Sequence, residues 1–273
     1  MRKIVSIAFL CFVLGGCATP TKHTSTSVVD FLYPDVRDPV VSPGTPLLAL
    51  PLRVGIAFVP AQRGAATSFA LTEKRQSDVL NEVANHFKKS PFVRTIEVIP
   101  SAYLRPRGGF ANLDQIRTMY GVDVIALVSY DQTQFTDQGL LSIAYWTIVG
   151  AYIVRGQKND THTMLDTVVY DIPSRKMLFR APGLSEIKGS ATLVNQSERL
   201  RTDSEAGVSQ ATADMIKNLD AQLLAFREKV KERPEEYRVV RTEGYRGGGM
   251  VDGLMLALFS ALLGGACWAR RRK

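Results

Sequence analysis

Cys17 is the residue whose surroundings indicate chemistry most directly. A basic pair at 2–3 is followed by an uncharged apolar run at 4–13. The residues between this run and the cysteine are Leu14, Gly15 and Gly16. A charged start, a short apolar centre and small residues before a cut are typical of a secretory signal. Because its thiol can carry a diacylglyceryl group, we predict lipidation of Cys17; an ordinary signal peptide with an incidental cysteine is the alternative.

The second signal is a run of three glycines, Gly247, Gly248 and Gly249. The apolar run that follows, at 250–268, has 19 residues with one charge, Asp252, and is long enough for a spanning helix. Beyond it stands a basic cluster, Arg270, Arg271, Arg272 and Lys273. Such clusters stay on the cytoplasmic side, so the tail predicts a periplasmic body. A lipidated Cys17 would lie on that same side.

The three glycines also make the chain easier to cut. Each weakens a helix by about 1 kcal/mol relative to alanine, and an intramembrane protease must hold its substrate extended. Cleavage near 247–249 is therefore expected; a flexible linker before a permanent anchor is the alternative. Ala18 after the lipidated cysteine favours an outer-membrane address, which a retained spanning helix would prevent.

The lipobox at 14–17, together with the glycines and the tail, resembles the rhombotarget lipoprotein family, whose tails carry the GlyGly-CTERM sorting signal. Segments at 145–152 and 171–176 are also similar to that family. The resemblance implies that the chain is a substrate of rhombosortase, an intramembrane serine protease of the rhomboid type, and not itself a protease.

These features together predict a non-enzymatic bacterial envelope lipoprotein with palmitate-type acyl chains. Its expected partners are lipoprotein-processing enzymes, rhombosortase, membrane lipid, and either an envelope protein or further copies of itself. The precursor would reside in the inner membrane and the mature form in the outer membrane or at the cell surface. Permanent anchoring in the inner membrane by both ends is the alternative.

Composition limits the function of the body. The formal charge is +8, but six of the 34 basic residues lie at the two ends, so no clustered surface for nucleic acid is implied. The cysteines are Cys11, Cys17 and Cys267. The stretch between 18 and 249 has none, so the body cannot form a disulfide, although the periplasm permits them. It must depend on its apolar core.

Catalytic chemistry in the body has weak support. The histidines are His23, His86 and His162. A metal site or hydrolase site at His162 would use the nearby acids Asp160 and Asp166, but the spacing matches no zinc pattern and no nucleophile elbow is present. We predict no cofactor and no metal, with an envelope hydrolase as the alternative.

The element pattern predicts an α/β fold, or an α+β fold, in which helices cover a single sheet. The expected strands lie at 52–59, 92–99 and 122–130, and the last of these could extend to 135. A hairpin at 161–172 and 176–181 and a strand near 184–194 follow. The expected helices lie at 70–89, 112–120 and 202–231. Asn112 is the expected N-cap of the second helix and Gly121 its C-terminal residue. The order of elements and the segment at 121–125 resemble the lipoprotein domain of the curli-secretion family and of outer-membrane activators of peptidoglycan synthases.

The expected organisation has five parts. They are a signal peptide at 1–16, a lipidated tether rich in Pro, Ser and Thr at 17–50, the globular domain at 51–233, an exit linker at 234–249, and a spanning helix with a basic tail at 250–273. The uncharged segment 139–154 is predicted to be a buried hairpin or short helix. A flap that dips into the membrane or forms an oligomer contact is the alternative.

Overall fold

The computed structural model describes residues 21–34, 44–61, 71–138, 157–191 and 195–242. Within these residues lie eight strands and four helices. In chain order they are β1 (Thr21–Ser25), α1 (Val28–Leu32), β2 (Leu47–Leu50), β3 (Leu52–Phe58), α2 (Glu73–Phe87), β4 (Val93–Val98), α3 (Gly109–Tyr120), β5 (Val124–Gln138), β6 (Gln157–Asp171), β7 (Lys176–Ala191), α4 (Gln196–Glu232) and β8 (Arg238–Arg241).

A mixed sheet of six strands forms the centre. Five of them lie in the order β4-β3-β5-β6-β7, and the sixth, β1, pairs with β5. Strands β3, β4 and β5 run parallel, and β5, β6 and β7 form antiparallel pairs. Strand β5 is long enough to have two neighbours on one side: β3 pairs with its first half and β1 with its second half. Strands β2 and β8 form a separate parallel pair.

Helices cover both faces of the sheet. Helices α2 and α4 pack on one face through a core that includes Val83, Val128 and Met215. Helices α1 and α3 pack on the other through Phe31, Ile116 and neighbours. The predicted α/β architecture, with one sheet covered by helices and a long helix near the C-terminus, is therefore confirmed. Within the described residues, no helix has the length and apolar composition to cross a bilayer.

Local sequence explains where the helices begin and end. The Thr72 hydroxyl accepts a hydrogen bond from the Arg75 amide and caps α2, whose apolar residues recur at helical spacing. Gly121 ends α3 with a φ of 64°, the left-handed conformation that glycine adopts at low cost. The prediction for Gly121 is correct. Asn112 is not the N-cap of α3: the helix begins at Gly109, and the Asn112 side chain accepts from the Arg105 amide.

The long strands give the molecule two ends, which we call the tip and the base. The tip is where β5 ends and β6 begins, with Gln138 paired to Gln157. The base is the opposite end, where Val124 pairs with Asp171. Helix α4 has 37 residues, a length of about 55 Å, and runs from the tip, where β7 ends, to the base.

The structure differs from the sequence prediction in three places. The expected tether at 17–50 contributes β1 and β2. It also contributes α1, whose buried Phe31 and Leu32 lie in the stretch 28–33 for which the sequence indicates local docking. The expected exit linker contains β8 and a buried Tyr237. The strand predicted near 184–194 is not separate, because β7 runs without a break from Lys176 to Ala191.

Side chains of α4 occupy part of the outer edge of β7. The Asp214 carboxylate accepts a hydrogen bond from the Leu184 amide at 3.0 Å. The Asn218 amide donates to the Pro182 carbonyl at 2.6 Å. These two backbone groups at the edge of β7 are thus bonded within the same chain.

Candidate functional site

The residues predicted to carry the function lie outside the described residues. They are Leu14, Gly15, Gly16 and Cys17 at one end, and Gly247, Gly248, Gly249, Arg270, Arg271, Arg272 and Lys273 at the other. The segment 139–154 and the spanning run 250–268 also lie outside them. The structure instead describes the chain that follows the first signal and the chain that precedes the second, and these two flanks define the site.

The N-terminal flank is fixed at the tip. Strand β1 begins four residues after Cys17, and Thr21 pairs with Phe135 near the end of β5. The pairing is antiparallel and continues to Ser25, which pairs with Asp131. Next to it, the Thr26 amide donates to the Tyr130 carbonyl at 2.8 Å. Thr21, four residues after Cys17 in the sequence, is thus the first described residue and lies near the tip.

The C-terminal flank is fixed at the base. Strand β8 runs parallel to β2, and the Thr242 amide donates to the Leu50 carbonyl at 3.0 Å. The chain then continues toward Gly247. Phe135, beside Thr21, lies eleven residues beyond Val124 on β5, which corresponds to about 37 Å. The two flanks therefore leave the body at opposite ends.

An apolar cavity of about 100 Å³ lies at the base between α2, α4 and the sheet. Aromatic and aliphatic side chains form its wall, among them Phe87, Phe92, Leu223 and Phe226. Tyr237 packs its ring against Phe226 at a centroid distance of 5.4 Å, so the chain leading to β8 passes beside the cavity. Apolar pockets of this kind accept a bulky side chain or a few methylene groups.

A polar interface joins α4 to the tip half of the sheet. The Gln132 amide nitrogen donates to the Thr163 hydroxyl at 2.8 Å, and the Ser204 hydroxyl donates to the Gln132 carbonyl oxygen at 2.7 Å. The Gln134 amide donates to the Leu200 carbonyl at 2.9 Å. These are buried side chains, and their hydrogen bonds replace the apolar contacts seen at the base.

Asp203 is the charged residue of this interface. It is 2% exposed and pairs with the Arg199 Nε at 3.1 Å. Its Oδ2 atom has no hydrogen-bond partner among the described residues. Burial raises the pKa of the Asp203 carboxyl above its ordinary value, although Arg199 opposes the change. Burial also raises the pKa of the Tyr130 hydroxyl, to about 12, in the same interface.

Among the described residues, His162 lines a polar cavity with Asp131 and Glu186, and Asp166 is not part of its wall. The His162 side chain is exposed on β6, opposite Glu186, with its ring 5.8 Å from that of Phe135. Asp166 is held by Arg180, whose Nε lies 2.8 Å from both carboxylate oxygens. Among the described residues, no group of three or more His, Cys, Asp or Glu side chains is placed to hold a metal ion.

The other two histidines have structural neighbours. His23 belongs to β1 and lies 3.0 Å from the Asp131 carboxylate. His86 lies on the surface of α2, as the sequence predicts, and its Nε2 is 2.9 Å from the Asp220 carboxylate of α4. Both contacts join separate elements of the fold, and neither brings a nucleophile to the imidazole.

Comparisons with known proteins give no family. No family model matches the chain, and no curated protein matches it. Solved structures that match include two PelC dodecamers from Paraburkholderia phytofirmans, one of them a point variant. The variant gives a TM-score of 0.31 at 11% identity, and the other gives 0.29 at 12%; each comparison covers 73% of this chain and 96% of that chain. Similarity at this level is too low to inform function.

Sequence reasoning missed two parts of the site. Strand β1 has no alternating apolar pattern, so nothing in Thr21–Ser25 indicates a strand. The polar interface was also missed, although two glutamines at 132 and 134, at the spacing of one strand face, carried a signal.

Proposed function

We propose that this chain is a non-enzymatic lipoprotein of the bacterial envelope, acylated at Cys17 and cut near Gly247–Gly249 by an intramembrane protease of the rhombosortase type. One observation carries the proposal: the first strand begins four residues after Cys17 and is fixed at the tip, while the chain leaves for the glycines at the base. A lipid on Cys17 would therefore hold the tip close to a bilayer.

The placement of the two ends favours removal of the tail. If both anchors lie in one membrane, the tip and the base must both stay near its surface. If they lie in different membranes, the body must bridge the space between them. Cleavage at the glycines removes this constraint and leaves the lipid as the sole anchor. The rhombotarget lipoprotein family, which the two end signals resemble, has the corresponding pair of signals.

The role of the body in this proposal is binding. The cavity beside Phe226 has the apolar wall and the size that suit one bulky side chain of a protein partner or of a second copy. The alternative role, hydrolysis at His162, would use a polar cavity that His162 lines with Asp131 and Glu186. The acid that the sequence suggests for it, Asp166, does not line this cavity and is paired with Arg180.

Metabolic labelling with a radioactive fatty acid tests the lipid. We expect the full chain to take up label and the Cys17→Ser variant to lose it. Cys11→Ser is the matched control, since that thiol lies inside the predicted signal peptide, and it should leave labelling unchanged. Label that persists in Cys17→Ser would contradict acylation at this site.

Intact mass spectrometry tests the cut. We expect the mature protein to end within 247–249, and a variant in which leucine replaces these three glycines to keep its tail. The matched control replaces Gly264 and Gly265 with leucine, inside the apolar run and away from the expected cut. A native protein that retains residues 250–273 would instead support permanent anchoring in the inner membrane.

A further inference from the structure

The apolar cavity at the base crosses the sheet from edge to edge. Its wall takes side chains from five neighbouring strands, among them Val93 of β4, Val54 of β3, Val124 of β5, Val169 of β6 and Leu178 of β7. Neighbouring strands lie about 4.8 Å apart, so the four spacings between these five strands add up to about 19 Å. A volume of about 100 Å³ over such a length makes the cavity long and narrow.

The wall of this cavity is apolar almost throughout. Among the described residues that form it, Thr167 alone has a polar side chain. The Thr167 hydroxyl already donates a hydrogen bond to the Met215 sulfur at 2.9 Å. A buried water molecule needs two or more polar partners, so the cavity suits hydrocarbon and not water.

The mouth of the cavity lies where α2 ends beside α4. Phe87, Phe92 and Leu223 line the cavity at this point and are partly exposed. At the far side, Val169 and Leu178 are buried beneath α4. A ligand would therefore enter at the base, with its far end between α4 and the sheet.

Polar contacts fix the two helices that roof the cavity. Near the start of α2, the Arg75 guanidinium donates to the Ser209 hydroxyl of α4 at 2.6 Å. Near the end of α2, the His86 Nε2 atom lies 2.9 Å from the Asp220 carboxylate of α4. Because these contacts set the spacing of the helices at two points, the roof resists collapse onto an empty cavity.

We propose that this cavity binds one unbranched hydrocarbon chain, that of a fatty acid or of one acyl group of a membrane lipid, and leaves the polar end of the ligand at the mouth. A single bulky side chain entering at the mouth would leave the far end empty, and unfilled apolar space costs stability. This inference rests on the proposed function in one respect, the binding role of the body. It requires neither acylation of Cys17 nor cleavage at the glycines.

The test uses the full chain in phosphatidylcholine vesicles with a sixteen-carbon fatty acid that carries a photoactivated diazirine. The diazirine is placed near the methyl end in one probe and near the carboxyl end in the other, and peptide mass spectrometry locates the label. We expect the first probe to label the inner wall at Val169 and Leu178, and the second to label the mouth at Phe87 and Leu223. Labelling confined to the apolar run at 250–268 would overturn the proposal.

A lipid probe identifies the source of the chain. Phosphatidylcholine with the same diazirine on one acyl chain should label the inner wall where a bilayer lipid supplies the chain. Labelling by the fatty acid alone would assign a free fatty acid. Intact mass of the same sample reports the acyl group on Cys17, so a failure of cavity binding is distinguished from a failure of the proposed acylation.

Blocking variants separate entry into the cavity from contact with the surface. Leu223→Trp fills the mouth and should lower labelling of the inner wall about fivefold, since closely packed side chains leave no room for the ligand. Leu224→Trp is the matched control: Leu224 is 60% exposed, does not line the cavity, and should retain labelling. Ala84→Leu, inside the cavity, and its exposed control Ala225→Leu repeat the comparison with a smaller change. Equal labelling of the inner wall within both pairs would overturn the proposal.

Discussion

The two halves of helix α4 rest on the sheet in different ways. Toward the base, Met215, Leu219 and Phe226 pack into an apolar core. Toward the tip, the same helix meets the sheet through Gln132, Gln134 and their hydrogen-bond partners. Burial of apolar surface tolerates small shifts, whereas buried hydrogen bonds require fixed positions. We therefore expect the α4 contacts at the base to contribute more to stability than those at the tip, and the tip contacts to set the register between helix and sheet.

The point where the two halves meet should be the most sensitive. A Cβ atom on Gly183 would lie 2.1 Å from the Ala211 carbonyl oxygen and 2.5 Å from the Met215 amide nitrogen. Because both are backbone atoms of α4, Gly183→Ala must displace the helix, and we expect a loss of more than about 3 kcal/mol in the free energy of unfolding, measured with denaturant. Gly44→Ala, whose nearest contact is 3.7 Å, should cost less than about 0.5 kcal/mol. Equal losses of unfolding free energy in Gly183→Ala and Gly44→Ala would contradict a tight contact between Gly183 and the backbone of α4.

The apolar half can be probed at Met215. This side chain is fully buried and accepts a hydrogen bond from the Thr167 hydroxyl, so Met215→Ala leaves a cavity and should cost about 2–5 kcal/mol. Met119→Ala serves as the control, since Met119 is 61% exposed and should change the unfolding free energy little. A small loss at Met215 would contradict the view that the base carries the stability.

The polar half should respond less strongly. Gln132→Ala removes one partner each from Thr163 and Ser204, and we expect a loss of about 1–3 kcal/mol in the free energy of unfolding. Gln222→Ala is the control. Gln222 is an exposed residue of α4 and takes no part in these hydrogen bonds, so its replacement should have little effect. A double-mutant cycle with Ser204→Ala should show coupling, and additive losses would argue against the network.

The smallest expected effect is a change in pH dependence at Asp203. A carboxyl whose pKa is higher in the folded than in the unfolded protein binds more protons when folded, so its contribution to stability falls as pH rises from about 3.8 through the raised pKa. Asp203→Asn should flatten this fall in unfolding curves measured across that range. Asp78→Asn, at an exposed site on α2, is the matched control for the chemical change. An unaltered slope in the Asp203 variant would show that burial does not perturb this carboxyl.

The sequence predicts the base better than the tip, for a physical reason. Strand β3 and helices α2 and α4 bury apolar faces, and the periodicity of their apolar residues reveals them. Strand β1 is polar. Its partner is the part of β5 beyond Val128, where the pairing of β5 with β3 has ended. Such pairing depends on tertiary structure and leaves no local pattern.

Two further differences have similar causes. Pro182 and Gly183 suggest a break in β7, but Pro182 needs no donor at an edge strand and Gly183 makes room for α4. Asn112 suggests a helix start, yet its side chain instead bonds the backbone of the preceding loop at Arg105. Packing against the distant helix α4 decided the first outcome, and a side-chain bond to the adjacent loop decided the second. The predicted site residues at the two ends remain predictions, because the described residues stop short of them.

If the proposed lipid anchor holds several copies in one leaflet, the bonds from Asp214 and Asn218 to the edge of β7 affect how those copies meet. A strand from another molecule would need the Leu184 amide and the Pro182 carbonyl, and both are already taken. A lipid anchor raises the local concentration of a protein, and an unpaired edge strand at high concentration promotes edge-to-edge pairing and aggregation. At these two positions that route is closed, so strand pairing between copies there would first have to displace the side chains of α4.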